Sequence, residues 1–156
     1  MTTRAFRVVK KRWAASAFDG EGAREYGGRW NSPGRSAVYC AGHVSLGILE
    51  VVVHADLALA PCYVVIPVTF EEALVENVDS TRLPPSWRRH PASAAVVALG
   101  DAWLREGRSP VLRVPSAVVP TESNYILNPL HPEFGKIEIG KPEILDVDPR
   151  ITKGRT

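Results

Sequence analysis

Cysteine is scarce in this chain. Only Cys40 and Cys62 occur among 156 residues, too few for the disulfide framework of a small secreted domain, so a reduced, cytoplasmic protein is expected. No apolar run approaches the ~20 residues that a membrane-spanning helix needs. The segment Met1–Arg7 carries charge without an apolar stretch, so no signal peptide is expected. Repeats and low-complexity tracts are lacking. So are the short signatures of several enzyme classes: Gly-x-Ser-x-Gly, Gly-x-Gly-x-x-Gly and Walker A. Cys40, His43, His54 and Cys62 lack finger-like spacing, and no metal site is expected. A strong excess of one charge is lacking too. The net charge is +2 and the pI about 8.7. The basic residues at Arg4–Arg12 and Arg88–His90 read as solvated faces, and direct nucleic-acid binding is not expected.

What remains is ordinary globular composition, 45% hydrophobic and 23% charged, at a length suited to one domain over residues 1–156. Ala5–Val9 reads as a strand. Lys11–Asn31 is irregular and long for a connection, which favours function. Ala37–Ala41 reads as a buried strand. Ser45–Ala55 fits a strand by its β-branched run and a helix by Leu46, Leu49 and Val53; helix is preferred, with Ser45 near its N-cap, which makes Glu50 and His54 neighbours one turn apart. Cys62–Phe70 is the clearest strand, with Pro67 requiring an edge or a bulge. Asp79–Pro91 is a surface loop. Ala92–Glu106 is a helix with a Val96, Leu99, Trp103 stripe, ended by Gly107. Val111–Val114, Asn124–Leu127, Ile137–Ile139 and Ile144–Val147 complete the strands, and the polar tail 150–156 is expected to fray. Short strands outnumber helices without regular alternation, which indicates an α+β fold.

The chain's chemistry concentrates in Tyr26–His54. Gly27-Gly28 would let backbone approach a ligand. Arg29 brings a planar fork that matches phosphate or carboxylate. Tyr26, Trp30 and Tyr39 offer aromatic faces to a base or a nicotinamide ring. Glu50 stands inside the apolar run Ile48–Val53, where a carboxylate is either on a wet face or held for a purpose. Such a carboxylate could bond a ribose hydroxyl and stabilise the oxocarbenium-like state of glycosidic cleavage. Trp30 fits the core equally well, His54 fits an ordinary helix face, and Ser116 and Asn124 read as turn residues on spacing alone. The residues therefore indicate an α+β domain with an anion and sugar pocket.

Several short motifs occur together in order: Phe6-Arg7-Val8-Val9, Gly27-Gly28-Arg29-Trp30-Asn31, Ala37-Val38-Tyr39, Leu49-Glu50-Val51 with His54, Leu112-Arg113-Val114-Pro115-Ser116, and Asn124-Tyr125 with Asn128-Pro129. In these the chain resembles the RES domain, the toxin of a bacterial toxin–antitoxin pair. The family's Arg, Glu and Ser correspond to Arg29, Glu50 and Ser116, with Ser45 and Ser123 as other candidates for the serine. The resemblance implies an ADP-ribosyltransferase-like fold with a split, mostly antiparallel sheet. It also implies NAD as substrate rather than cofactor, consumed by hydrolysis, phosphorolysis or transfer of ADP-ribose to a protein. The expected partner is an Xre-type helix-turn-helix antitoxin that blocks the NAD pocket. On this reading Arg29, Tyr39, Glu50 and Ser116 are the catalytic set: Arg29 grips the nicotinamide ribose or the pyrophosphate, Tyr39 orients the nicotinamide, Glu50 holds the ribose, and Ser116 supplies a polar contact. Arg7, Gly28, Trp30, Asn31, Ser45 and Asn124 are the expected substrate-binding residues. The rival readings are a nucleotide-binding module without catalysis and a basic toxin directed at RNA.

Overall fold

A computed structural model describes residues 1–54 and 62–152. Its strands are β1 (Thr2–Lys10), β2 (Val38–Ala41), β3 (Tyr63–Glu71), β4 (Val75–Asn77), β5 (Val111–Pro115), β6 (Ser123–Leu127), β7 (Glu138–Ile139) and β8 (Glu143–Ile144). They form one sheet in the order β4-β5-β6-β2-β1-β3-β7, with β8 also on β3. All pairings are antiparallel except β4 with β5. The sheet curls into a half-barrel and is divided at its centre. β1 follows β3 from Thr2 opposite Glu71 to Lys10 opposite Tyr63, but meets β2 only at Phe6 opposite Ala41. The expected α+β fold with a split, mostly antiparallel sheet is what forms.

Strand alternation sends side chains to two faces. One face buries Ala5, Val38, Cys40, Val68, Phe70, Val111 and Leu127. The other buries Ala37, Leu112, Val114 and Ile126 against helix α3 (Ala94–Glu106) through Val96 and Trp103. Each large apolar side chain so buried stabilises the fold by about 1.5–3 kcal/mol. Gly107 closes α3 in the left-handed conformation, as its position predicts.

Helix α2 (Val44–His54) forms where the periodicity placed one, within the described residues; Ala55 lies outside them. Its contact line differs from the expected stripe. Leu49 and Val53 are exposed, while Leu46 and Gly47 are buried. A Cβ at Gly47 would lie 2.8 Å from Val8 Cγ2, so the helix sits on β1 through its glycine, which a count of large apolar residues overlooks. Ser45 is not the cap: the helix starts at Val44, the Gly47 amide donates to the His43 carbonyl, and Ser45 is exposed in the first turn.

β3 does not bulge at Pro67, but it is locally an edge there. The outer neighbour of β3 is interrupted there: β7 faces Val68 and Thr69, and β8 faces Val64 and Val65. The irregular stretch before Asn31 contains a 3-10 helix at Lys11–Ser16 and helix α1 (Glu21–Tyr26). The last strand ends at Ile144 rather than Val147, and a helical turn α4 (Pro149–Thr152) covers the start of the expected tail, whose residues 153–156 are outside the described set. No helix among the described residues is long and apolar enough to cross a membrane.

Burial of Cys40 under this core pushes its thiol up to about 12. An unfolded cysteine ionises near pH ~8.5. Its folded pKa is raised, so its contribution to stability is complete below that pH and is lost as pH rises toward the folded value. At mildly alkaline pH iodoacetamide should label the half-buried Cys62 and leave Cys40 untouched until denaturant is added. Mass spectrometry of the two cysteine peptides reads the outcome, and equal labelling in the folded protein would contradict the packing.

Candidate functional site

The segment from Gly27 to Ser36 is built as a rigid plate on the α3 side of the sheet. Gly27 ends α1 with φ +74, a conformation glycine adopts without strain. The Tyr39 hydroxyl donates to Asn31 Oδ1 at 2.5 Å and accepts from the Trp30 amide at 3.1 Å. Asn31 Nδ2 lies within hydrogen-bonding distance of the carbonyls of Ala23, Ser32 and Arg35. The plate is pressed on α3 at Gly100, where a Cβ would stand 1.7 Å from the Trp30 carbonyl oxygen. The next residue, Asp101, accepts from the Ser32 amide at 2.9 Å and from its hydroxyl at 2.6 Å.

This construction reassigns several residues expected to bind substrate. Trp30 is 2% exposed and Asn31 1%, and the Asn31 amide group is used on both sides, so neither offers a surface to a ligand. Gly28 makes room for the Tyr39 hydroxyl, which would be 2.6 Å from a Cβ. Tyr26 is 79% exposed at the end of α1, beyond the plate. Of the three aromatics Tyr39 is the half-buried one whose hydroxyl bonds the plate. Burial raises its pKa, with the Trp30 amide opposing, so the hydroxyl stays neutral and serves as a structural donor.

Arg29 is the plate's outward-facing cation, half-buried. Its Nη1 donates to the carbonyls of Trp87 at 3.0 Å and Arg89 at 2.9 Å. Burial lowers its pKa, and the charges of Glu50 and Tyr39 act in the opposite direction. The loop it grips also reaches the far wall, where Arg88 Nε donates to the Ala117 carbonyl at 3.0 Å. His90 lies with its ring 5.6 Å from that of His54.

Opposite stands Glu50, 27% exposed on α2. Its Oε1 accepts from Ser116 Oγ at 2.9 Å and from Asn124 Nδ2 at 3.1 Å. Ser116 is fully buried, and its Oγ also accepts from the amides of Val118 and Val119. The serine therefore holds the glutamate and has no surface for a ligand. Of the three serines considered, Ser116 is the one bonded to Glu50. Ser45 lies about 140° around α2 from Glu50 at 3.6 residues per turn, and Ser123 pairs with Pro115 at the start of β6. Oε2 of Glu50 accepts no hydrogen bond from a described side chain; His54 Nε2 is 4.0 Å away. Asn124 Oδ1 is buried without a partner beside it, an uncompensated acceptor that costs about 1–3 kcal/mol.

Arg7, expected in the pocket, shares the opposite face of the sheet with Ala5 and Cys40, and donates to the carbonyls of Ala17 and Tyr39. Asp101, Gly100 and the carbonyls of Trp87 and Arg89 escape a sequence reading, since a helix-surface aspartate and backbone oxygens carry no motif. Among the described residues no group of three His, Cys, Asp or Glu is placed to hold a metal. The arrangement can grip an anion at Arg29 and stabilise a cation at Glu50.

The family described as RES domain matches residues 4–148. The chain is 37% identical over 148 residues to "Toxin Res" of Yersinia enterocolitica, covering 94% of this chain and 97% of the relative. It is 34% identical over 159 residues to the "Prs ADP-ribosylating toxin" of a Sphingobium species, covering 98% and 99%. A chain in the crystal structure of the M. tuberculosis MbcT–MbcA toxin–antitoxin complex superposes with TM-score 0.76 at 19% identity, over 93% of this chain and 85% of that one.

The plate's seating on α3 gives a direct test. Gly100→Ala should be strongly destabilising, at or beyond the ~1–3 kcal/mol typical of overpacking, because backbone stands where the methyl would go. Gly22→Ala in helix α1, with nothing within 4 Å of its Cβ, should be neutral or slightly stabilising. Urea unfolding of both variants measures this, and equal midpoints would contradict it.

Proposed function

Given that the chain belongs to the RES domain family, we propose that it is a bacterial toxin that consumes NAD by cleaving the bond between nicotinamide and ribose. The observation that carries this reading is the opposition of Arg29 and Glu50. Each is fastened to its own wall, Arg29 through backbone carbonyls and Glu50 through Ser116 and Asn124, and no ion pair joins them among the described residues. Departure of nicotinamide takes the bonding electron pair with it and leaves the positive charge on the ribose. An anion fixed at that carbon stabilises the transition state more than the ground state. Glu50 supplies it through Oε2. The ribose hydroxyls supply donors that Glu50 and Asn124 lack. Arg29 holds the nicotinamide ribose or the pyrophosphate with the donors that remain to its fork. Tyr39 orients the nicotinamide with its ring while its hydroxyl stays bound to the plate. Water or phosphate then captures the cation.

A second reading, transfer of ADP-ribose to a protein, is supported by the name of the Sphingobium relative. Both place the protein in the cytoplasm, where NAD is available, with no further cofactor. An antitoxin partner fits the toxin–antitoxin neighbour, and we assign it to the Xre type, covering the mouth beside Arg29 with an acidic group. Incubating the purified protein with NAD, with and without phosphate, and following free nicotinamide tests cleavage; label transferred from radioactive NAD to protein identifies the second reading. NAD bound but left intact would reduce the protein to a binding module.

Arg29→Lys should not be conservative. Lysine keeps the charge but cannot hold two carbonyls and a ligand with one planar group. The expected loss in kcat/KM corresponds to about 1.5–3 kcal/mol, the range for hydrogen bonds to charged groups. Unchanged turnover in the lysine variant would remove Arg29 from the site.

A further inference from the structure

The centre of the sheet contains a half-buried cation, Arg7, that the cleavage step does not use. β1 and β2 touch at Phe6 and Ala41 and then diverge. The Gly42 amide donates to the Ser123 carbonyl, so by antiparallel alternation the Cys40 and Val38 backbone groups face β6 and those of Tyr39 face β1. The Tyr39 carbonyl accepts from Arg7 Nη1 at 3.0 Å, while Arg7 Nε donates to the Ala17 carbonyl at 2.6 Å. The register places Arg7 beside Ile66 and on the face of Cys40, whereas the Tyr39 side chain packs on the α3 side. Burial lowers the Arg7 pKa, opposed by Cys40 and Asp19. A desolvated guanidinium is costly unless its donors are met, and here two backbone carbonyls accept from it.

We propose that Arg7 is a positioning residue that acts on the site from the rear of the sheet, fixing Tyr39 by its carbonyl oxygen and, through the Tyr39 hydroxyl, the plate that carries Arg29. The linkage is continuous: Arg7 to the Tyr39 carbonyl, the Tyr39 hydroxyl to Asn31 and the Trp30 amide, and Arg29 between Gly28 and Trp30. Arg7 touches no ligand on this account. The consequence for catalysis rests on the NAD-cleaving reading; the coupling to Tyr39 does not.

The test uses the full chain labelled with 3-fluorotyrosine, the Tyr39 resonance being assigned by its disappearance in Tyr39→Phe. In Arg7→Ala the Tyr39 fluorine signal should shift or broaden while those of Tyr26 and Tyr63 stay in place, and added guanidinium should restore it. Turnover should fall, toward the ~10²-fold typical of a misplaced catalytic group, with NAD affinity nearly unchanged and recovery by guanidinium. Arg7→Lys, which keeps a donor to one carbonyl, serves if the alanine variant does not fold, and its Tyr39 signal should move partway. An unmoved Tyr39 signal in a folded variant overturns the proposal. So does a loss of NAD affinity with kcat intact, which would make Arg7 a ligand contact. Absence of NAD cleavage in the parent protein would refute the enzymatic reading alone, since the fluorine experiment needs no substrate.

Discussion

Two opposite charges must stand near each other without neutralising each other, and much of this structure serves that requirement. A free arginine beside a free carboxylate would close into an ion pair and fill the space a ligand needs. Here the Arg29 fork is partly occupied by the carbonyls of Trp87 and Arg89, and one oxygen of Glu50 by Ser116 and Asn124. Hydrogen bonds of this charged kind contribute about 1.5–3 kcal/mol each, enough to fix the side chains on separate walls. The walls come from different parts of the chain: the plate before β2, helix α2 on β1, and the β5–β6 connection. The divided sheet brings them together, because β2 and β1 can carry Tyr39 and the seat of α2 without closing over the gap.

The site's chemistry was visible in the sequence where a residue was out of place for packing. Glu50 within Ile48–Val53 and Arg29 after two glycines are local anomalies, and the structure fastens each of them by hydrogen bonds to a different part of the chain. Ser116 and Asn124 became candidates through the resemblance, and the structure gives them a shared physical task, holding Glu50 Oε1. The rest was illegible for a common reason: the partner was remote or was backbone. Gly28, Trp30 and Asn31 look like ligand contacts because small, aromatic and amide residues serve ligands as well as cores, and only the fold shows that the Tyr39 hydroxyl lies against Gly28 and bonds the Trp30 amide and Asn31. Asp101 looks like a solvated helix residue until Ser32 is seen beside it.

The fold followed the same pattern. Strands with a continuous apolar run, such as β3, and the glycine-terminated α3 appeared where periodicity placed them. The three-residue parallel strand β4 was not foreseen, since its pairing with β5 depends on a long crossover rather than on local composition. The contact line of α2 was misplaced because the close approach occurs at Gly47, the residue that contributes least to a hydrophobic pattern.

The central claim is that Glu50 is a charge held for the transition state rather than a carboxylate on a helix surface. Glu50→Gln tests it, since glutamine keeps the shape and one acceptor for Ser116 while removing the charge. Melting temperature, NAD affinity and nicotinamide release are measured on one preparation. The account predicts a folded protein with NAD affinity little changed and turnover lowered by about 10²–10⁴-fold, as for loss of one electrostatic or acid–base group. A folded glutamine variant that releases nicotinamide at the parent rate would contradict it.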